Sequence, residues 1–413
     1  MKRSWICSWG APNRPFGEVV KILVANLGST SFKYRLFDMP GERLLARGGV
    51  ERIGGTMSRT YAKTDRGERE ETKSVADHAA AVEACLELLS DRAIGVLAST
   101  GELTAIGFKT VHAQQMSGVQ QVNEKVLSAM EAYSDVAPAH NPPYVRAMRL
   151  LAEKLPHIPL VAAFETDFHQ SIPVAQRLYA VPLEWEIHGI RRWGFHGASH
   201  RYVAERTAAL LKKPDAKIIS CHLGGSSSLC AIEEGCSVAT SMGMSPQSGL
   251  PQNNRVGDFD VFALPAIMRA TGKTLEQILD DLANRSGLQG LSGGDIHDLR
   301  DLEEQAAQGC PVGQQAIDVF VGSVRHYLGA YLLLLNGADA IVFTGGIGEN
   351  SALVRASVCA DLDWFGVAVA PIRNQEAKGE AAIHAANSRV QIWIMPTNEE
   401  LIVARQTMAL LSQ

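Results

Sequence analysis

The stretch Ile22-Leu23-Val24-Ala25-Asn26-Leu27-Gly28-Ser29-Thr30-Ser31-Phe32-Lys33-Tyr34-Arg35-Leu36-Phe37-Asp38 decides how the rest of the chain is read. A buried apolar strand enters a turn of glycine and hydroxyls, and a second, alternating strand leaves it. The turn has the composition of a phosphate cradle. A P-loop, however, rests its anion on the N-terminus of the next helix, where free amides and the helix dipole face the charge. Here a strand follows, so the pattern predicts a β-hairpin that holds phosphate at its turn.

The motif recurs. Lys217-Ile218-Ile219-Ser220-Cys221-His222-Leu223-Gly224-Gly225-Ser226-Ser227-Ser228-Leu229-Cys230-Ala231-Ile232 lies over the stretch from Lys21 without a gap at a shift of 196 positions, with Lys21 on Lys217, Leu27 on Leu223, Gly28 on Gly224 and Ser31 on Ser227. An internal repeat of this kind implies a duplicated domain with one polar hairpin turn per half. Facing across a cleft, two such turns would grip a polyphosphate from both sides, because successive N–H groups in a turn make an anion nest.

Composition narrows the partner. With 413 residues the chain is long enough for two well-cored domains. A formal charge of −5 gives no general basic footprint, so a small molecule is expected and nucleic acid is not. Seven cysteines, Cys7, Cys85, Cys221, Cys230, Cys236, Cys310 and Cys359, form no C-x-x-C pair, which fits a reducing cytoplasm. Residues 1–19 lack the apolar core and cleavage site of a signal peptide and read as an irregular extension. The longest apolar run, Tyr331 to Leu335, is far too short to span a bilayer, so no membrane partner is expected.

Between the hairpins the periodicity alternates in the α/β manner. Helices are expected over Ser74 to Leu89, from Asn141-Pro142-Pro143 to Leu155, from a Ser199 cap to Leu211, and over Gly313 to Leu335. Leu160 to Phe164 and Ala340 to Phe343 read as buried strands. Thr344 to Ser351 reads as a strand-to-helix turn, and Thr397-Asn398-Glu399-Glu400 as a capping box opening the last helix, which uses Glu400 and leaves Glu399 free.

Several blocks now stand in order: NLGSTSFK, AHNPP from Ala139, FETDFHQSIP from Phe164, RRWGFHGASH from Arg191, HLGGSSS, SMGMSPQSGL with Arg255-Val256-Gly257-Asp258, FTGGIGENS, and PTNEELIVAR from Pro396. Together they resemble the acetate kinase family of acyl-phosphate-forming kinases. The resemblance covers nearly the whole chain after Val19. It implies an α/β, duplicated actin, sugar kinase and Hsp70-like (ribonuclease H-like) fold of two domains, with mixed sheets and a central cleft. Residues 20–165 plus 401–413 would form the N-terminal, acyl-substrate domain and residues 166–400 the nucleotide-binding domain. The implied reaction is reversible, Mg2+-dependent transfer of the ATP γ-phosphoryl to acetate or another short carboxylate, with Mn2+ as a substitute metal, in a cytoplasmic homodimer.

The family's roles carry over residue by residue. Phosphoryl transfer needs charge neutralised on the γ-phosphoryl oxygens and an acceptor held in line. Arg255 resembles the arginine that stabilises the transferring group, and His196 the histidine that donates to it; Glu165 stands at the third catalytic position. His196 and His200 are four apart, but HGASH lacks the glutamate of a zinc H-E-x-x-H motif. Lys109, Val111, Phe195 and Pro246 match the substrate pocket, the first for the carboxylate and the others for the acyl chain. Lys33 and the segment His222, Leu223, Gly224, Gly225 and Ser226 match the phosphate side. Asp298, Leu299 and Arg300 match the adenine side, and Gly346, Ile347, Gly348, Glu349 and Asn350 the adenosine turn. Asn26 and Glu399 match the Mg2+-associated positions, and magnesium needs few protein oxygens.

The chain also departs from the pattern. Lys109 replaces an arginine and loses its bidentate fork. Glu165 replaces an aspartate, adding a methylene. Gly225 and Ser226 replace an asparagine and a glycine. Gln252-Asn253-Asn254 replace a more compact segment, and Ala139 replaces a larger apolar residue, which keeps propionate open as substrate. A non-catalytic nucleotide-binding relative and a kinase using another donor such as pyrophosphate remain the alternatives. The intact Gly345-Gly346-Ile347-Gly348 turn favours a nucleotide.

Overall fold

The computed structural model describes residues 20–413 apart from 29, 114, 135, 137–140, 295 and the side chain of Pro40. The expectations for residues 1–19 and for Ala139 therefore lie outside the described residues. Two compact units divide the chain, one built from residues up to Asp167 together with Asn398–Gln413, the other from Phe168–Thr397.

In the first unit the opening stretch is the predicted hairpin. Strand β1 (Lys21–Leu27) pairs antiparallel with β2 (Ser31–Asp38), bringing Asn26 opposite Lys33 and Leu27 opposite Phe32. Ile22, Leu23, Val24 and Ala25 are fully buried because β1 is a central strand covered on both faces, which a continuous apolar run requires. Beyond β2 follow β3 (Arg43–Glu51), β4 (Ser58–Thr64) and β5 (Gly67–Lys73); on the other side of β1 lie β6 (Leu103–Thr110), β7 (Val119–Gln121) and β8 (Leu160–Phe164). The sheet order is β5-β4-β3-β2-β1-β6-β8-β7, with β6 pairing parallel to β1 on one side and to β8 on the other.

The second unit repeats the scheme. Its strands are β9 (Ile218–His222), β10 (Ser228–Glu233), β11 (Cys236–Thr240), β12 (Ala340–Thr344), β13 (Ala381–Ala382) and β14 (Gln391–Ile394), in the order β11-β10-β9-β12-β14-β13. The run β3-β2-β1-β6-β8 and the run β11-β10-β9-β12-β14 share one pattern: two antiparallel pairings, then two parallel ones. The repeat read from the hairpins is thus a repeat of whole sheets, each over its own apolar core.

Helix ends differ from the sequence reading in instructive ways. The helix expected from Ser74 begins at His78, because Asp77 caps it by accepting from Ala80 N–H at 2.8 Å while the Val75 carbonyl is engaged by Gly54. The helix Gly197–Leu211 starts before Ser199, and His196 precedes it with φ of 57°, a left-handed conformation rare for a side chain of this size. The capping box at Thr397 is absent: Asn398 accepts from Leu401 N–H at 3.3 Å, and Glu400 turns to Arg35 at 3.5 Å. Residues Gly345–Asn350 are already helical, and Pro311–Leu334 starts two residues earlier than expected because proline suits a first helical turn.

The last helix, Glu399–Leu411, belongs entirely to the first unit and packs on β1 and β6. Its fit there depends on Gly107 of β6, where a Cβ would stand 2.4 Å from Thr407 Oγ1. That packing carries Glu399 to the C-terminal end of β6, beside Lys109.

Candidate active site

In the first unit, strand ends gather the polar groups. Lys109, near the end of β6, places its ammonium 2.5 Å from Glu399 Oε2 and 3.8 Å from Glu165 Oε1, just past β8. Glu165 is 5% and Glu399 12% exposed. Burial works against the Lys109 charge, but Glu399 and Glu165 outweigh it and hold the ammonium above its ordinary range. Nearby, Tyr144 donates to Asn26 Oδ1 at 3.3 Å and accepts from Leu27 N–H at 3.0 Å, and burial pushes its phenol up to about 12. Asn26 is thereby fixed beside the first hairpin turn. Lys33, its cross-strand partner, is exposed. Val111 follows β6 and is half-buried.

In the second unit, four histidines cluster around β9 and β10. His196 stacks on His222 with ring centroids 4.2 Å apart, while His200 lies 6.4 Å from both and 5.7 Å from His169. Serines connect them. Ser228 Oγ stands 2.9 Å from His196 Nδ1 and 2.8 Å from His200 Nε2, Ser220 Oγ 2.8 Å from His200 Nδ1, and Ser199 Oγ 2.8 Å from His222 Nδ1. Burial, then the neighbouring His169 and His222, keep His200 well below the usual histidine range, so it is neutral and has one ring proton to share. A hydroxyl also has one proton. If His200 donates from Nε2, Ser228 must donate to His196 Nδ1, and the His196 proton then resides on Nε2. His169, held at about 4 by burial, bonds the Phe195 carbonyl and Ser237, fixing the loop before His196.

The second hairpin turn is bolted to the Gly345–Asn350 helix, since the Leu223 carbonyl accepts from Ile347 and Gly348 N–H at 2.8 and 3.0 Å. A cavity of about 560 Å3 opens beside them. Gly224, Gly225, Asp298, Leu299, Arg300, Gly346, Ile347 and Asn350, all expected around the nucleotide, line it. His222, Leu223, Ser226, Gly348 and Glu349 do not. Leu223 and Gly348 are buried beneath the floor, and Glu349 closes back on Gly345 N–H at 3.1 Å with its carboxyl pushed up by burial. Asp298 caps the helix Leu299–Ala307 and is drawn down to about 2, first by Arg300. A larger cavity, about 660 Å3, lies among Gly249, Val256, Asp258, Val319 and Tyr327, and shares none of its lining with the first.

The sequence reading assigned no role to Asn253, Glu303 and Ser351, which also line the 560 Å3 cavity. Asn253 is the informative one. Its N–H donates to the Gly225 carbonyl at 3.1 Å, and its carboxamide lies 3.4 Å from where a Cβ on Gly225 would be. A side-chain amide absent from position 225 is therefore supplied from the neighbouring segment. Arg255, half-buried, donates to Gln252 Oε1 at 3.1 Å and Ser226 Oγ at 3.4 Å, and burial lowers its pKa.

For a divalent cation, the candidate ligands are the Asn26 amide oxygen with the Glu399 and Glu165 carboxylates, all hard oxygens. Among the described residues no three or more His, Cys, Asp or Glu side chains are grouped to cage a metal. The donor set fits Mg2+, which keeps most of its waters and takes one or two carboxylates beside substrate phosphates.

Comparison with known proteins bears on both units. The Acetokinase family profile matches residues 21–405. An acetate kinase from Heliobacterium modesticaldum is 45% identical over 94% of this chain and 99% of its own. Among solved structures, Porphyromonas gingivalis acetate kinase superposes with a TM-score of 0.86 at 35% identity, covering 95% of this chain and all of its own. A Francisella tularensis propionate kinase gives 0.86 at 32% identity, covering 94% and 98%.

Proposed function

We infer, for a chain that belongs to the acetokinase family, that it is an acetate kinase moving the ATP γ-phosphoryl group reversibly onto acetate, giving acetyl phosphate and ADP. Arg255 is the observation that carries the assignment of its site. A guanidinium taken partly out of water is costly unless an anion offsets it, and its bonded partners are two neutral oxygens. Its planar fork suits the equatorial oxygens of a transferring phosphoryl group.

Each unit contributes its own chemistry. Acetate is already ionised near neutral pH, so its attacking oxygen needs orientation and no base. Lys109 supplies the charge that orients it, and Glu165 with Glu399 fixes where that ammonium stands. His196 donates from Nε2 to the transferring group when the Ser228 hydroxyl is turned toward its Nδ1. Backbone amides of the second hairpin and the Gly346 turn receive the nucleotide. Asn26, Glu399 and Glu165 would hold Mg2+, or Mn2+ in its place, which neutralises phosphate charge when bound.

Other features support finer points. Val261, Phe262, Leu275 and Leu279 expose large apolar surfaces on and beside the helices Leu264–Thr271 and Leu275–Asn284, which favours a homodimer. Cys85, Cys221, Cys230, Cys236, Cys310 and Cys359 are free thiols, in keeping with the cytoplasm. No helix of the described residues is long and apolar enough to cross a membrane. The net charge of −5 argues against a nucleic-acid partner.

Purified protein given ATP, Mg2+, hydroxylamine and a series of linear acids from acetate to hexanoate should form the hydroxamate, fastest with acetate. No hydroxamate with any acid sinks the reading. Arg255→Ala should cut turnover about 1000-fold while ATP binding by calorimetry changes less than about threefold. Equal losses in both would make Arg255 a nucleotide ligand only.

A further inference from the structure

The segment Gln252-Asn253-Asn254, one of the departures from the family pattern, is where three parts of the second unit meet. Gln252 is 1% exposed, and every polar atom of its side chain is used. Its Nε2 donates to the Pro246 carbonyl at 2.7 Å, and its Oε1 accepts from the Ser226 hydroxyl at 2.7 Å and from Arg255 at 3.1 Å. The backbone is equally engaged: Gln252 N–H donates to the Arg255 carbonyl at 3.0 Å, and its own carbonyl accepts from Leu288 N–H at 2.8 Å. Close packing explains Gly287, where φ is 60° and a Cβ would stand 2.0 Å from the Gln252 carbonyl oxygen.

We propose that Gln252 is a positioning and specificity-determining residue, whose carboxamide locks the acyl-pocket residue Pro246, the phosphoryl-binding Arg255 and the nucleotide-loop Ser226 into one unit. The proposal rests on the acetate kinase reading and on the roles that the family resemblance implies for those three residues. Its physical core is the neutrality of the amide. A buried arginine needs an acceptor to fix its direction, but a carboxylate there would consume the charge that an incoming phosphoryl group has to meet. An amide oxygen orients the guanidinium and leaves its charge available. The amide also has an N–H to spare, which a carboxylate lacks. That N–H holds Pro246, so acid size and phosphoryl transfer are set through one side chain.

Gln252→Glu keeps the shape, pairs Arg255 ionically and removes the donor to Pro246. Turnover with acetate should fall about 100-fold with ADP and ATP dissociation constants, read by calorimetry, within about threefold of the parent. The acetate-to-propionate ratio of kcat/KM should shift at least about fivefold, because Pro246 is released. Gln252→Asn keeps the amide but is a methylene too short to reach all three partners, and should show the same split at about tenfold. It serves if the glutamate variant does not fold, with circular dichroism and thermal unfolding as the check. A parent active on acetate whose folded variants keep both turnover and acid ratio within twofold overturns the proposal alone. Equal loss of turnover and nucleotide affinity also overturns it, since a merely structural role predicts that result. A parent forming no acyl hydroxamate overturns the underlying function, and this proposal with it.

Discussion

Around the first hairpin the partners carry full charges: Lys109 stands between two carboxylates, and Lys33 lies across from Asn26. Beside β9 and β10 of the second they are neutral: burial holds His200 and His169 in their uncharged form, serines bridge the rings, and Arg255 leans on an amide and a hydroxyl. Yet strand order and pairing sense match. One backbone geometry occurs twice, and the side chains set the copies apart: an ammonium between two carboxylates at the first, imidazoles, hydroxyls and amides at the second.

Acid should separate the two copies most sharply. In the unfolded chain His169 takes a proton near 6.5, in the folded one only near 4, so unfolding takes up a proton within that window. Stability is full above pH 6.5 and falls as pH drops toward 4, by on the order of 3 kcal/mol for this residue. Lys109 behaves oppositely: its folded pKa is raised, so its contribution is full below 10.5 and is lost only in alkali as pH rises through the folded value. Urea unfolding followed by tryptophan fluorescence, to which Trp185, Trp193, Trp364 and Trp393 of the second unit contribute, should show the acid loss. His169→Gln should lessen it, leaving the part that His200 contributes. A parent whose stability is level from pH 7 to 5 would erase the contrast between the copies.

A second break concerns the charged copy. Lys109→Met leaves Glu165 and Glu399 without their shared ammonium, and acetate KM should rise about 30-fold, roughly 2 kcal/mol, with ATP affinity nearly unchanged. Unchanged acetate KM would remove Lys109 from the substrate side. Smaller still is Ser228→Ala, which frees the His196 tautomer. Turnover should drop about tenfold and its pH profile should shift, while Ser228→Thr, which retains the hydroxyl, restores both. An alanine variant with parental turnover and profile would reduce Ser228 to packing.

Much of this was legible in the sequence because it is local. Both hairpins and the buried strands β8 and β12 follow from composition and period, while the glycines that line the 560 Å3 cavity were picked out by the family resemblance. What escaped depends on register or on partners distant in the chain. Ser228 reaches His196 only because β9 and β10 align His222 with Ser228, and nothing near either residue announces it. Gln252 read only as part of a segment replacing a more compact one, since its three partners lie 3, 6 and 26 positions away. At Thr397 a good local rule lost to a competitor one residue on, Asn398, which also accepts from Arg35 at 2.9 Å.

The discontinuity of the first unit has a consequence for synthesis. Its sheet is complete by Phe164, but the helix that covers β1 and β6 begins only at Glu399, after all of the second unit. On the ribosome, the apolar face of β1 and β6 must therefore wait uncovered through some 230 further residues, while the contiguous second unit can close first. The first hairpin to be translated is the last to be finished.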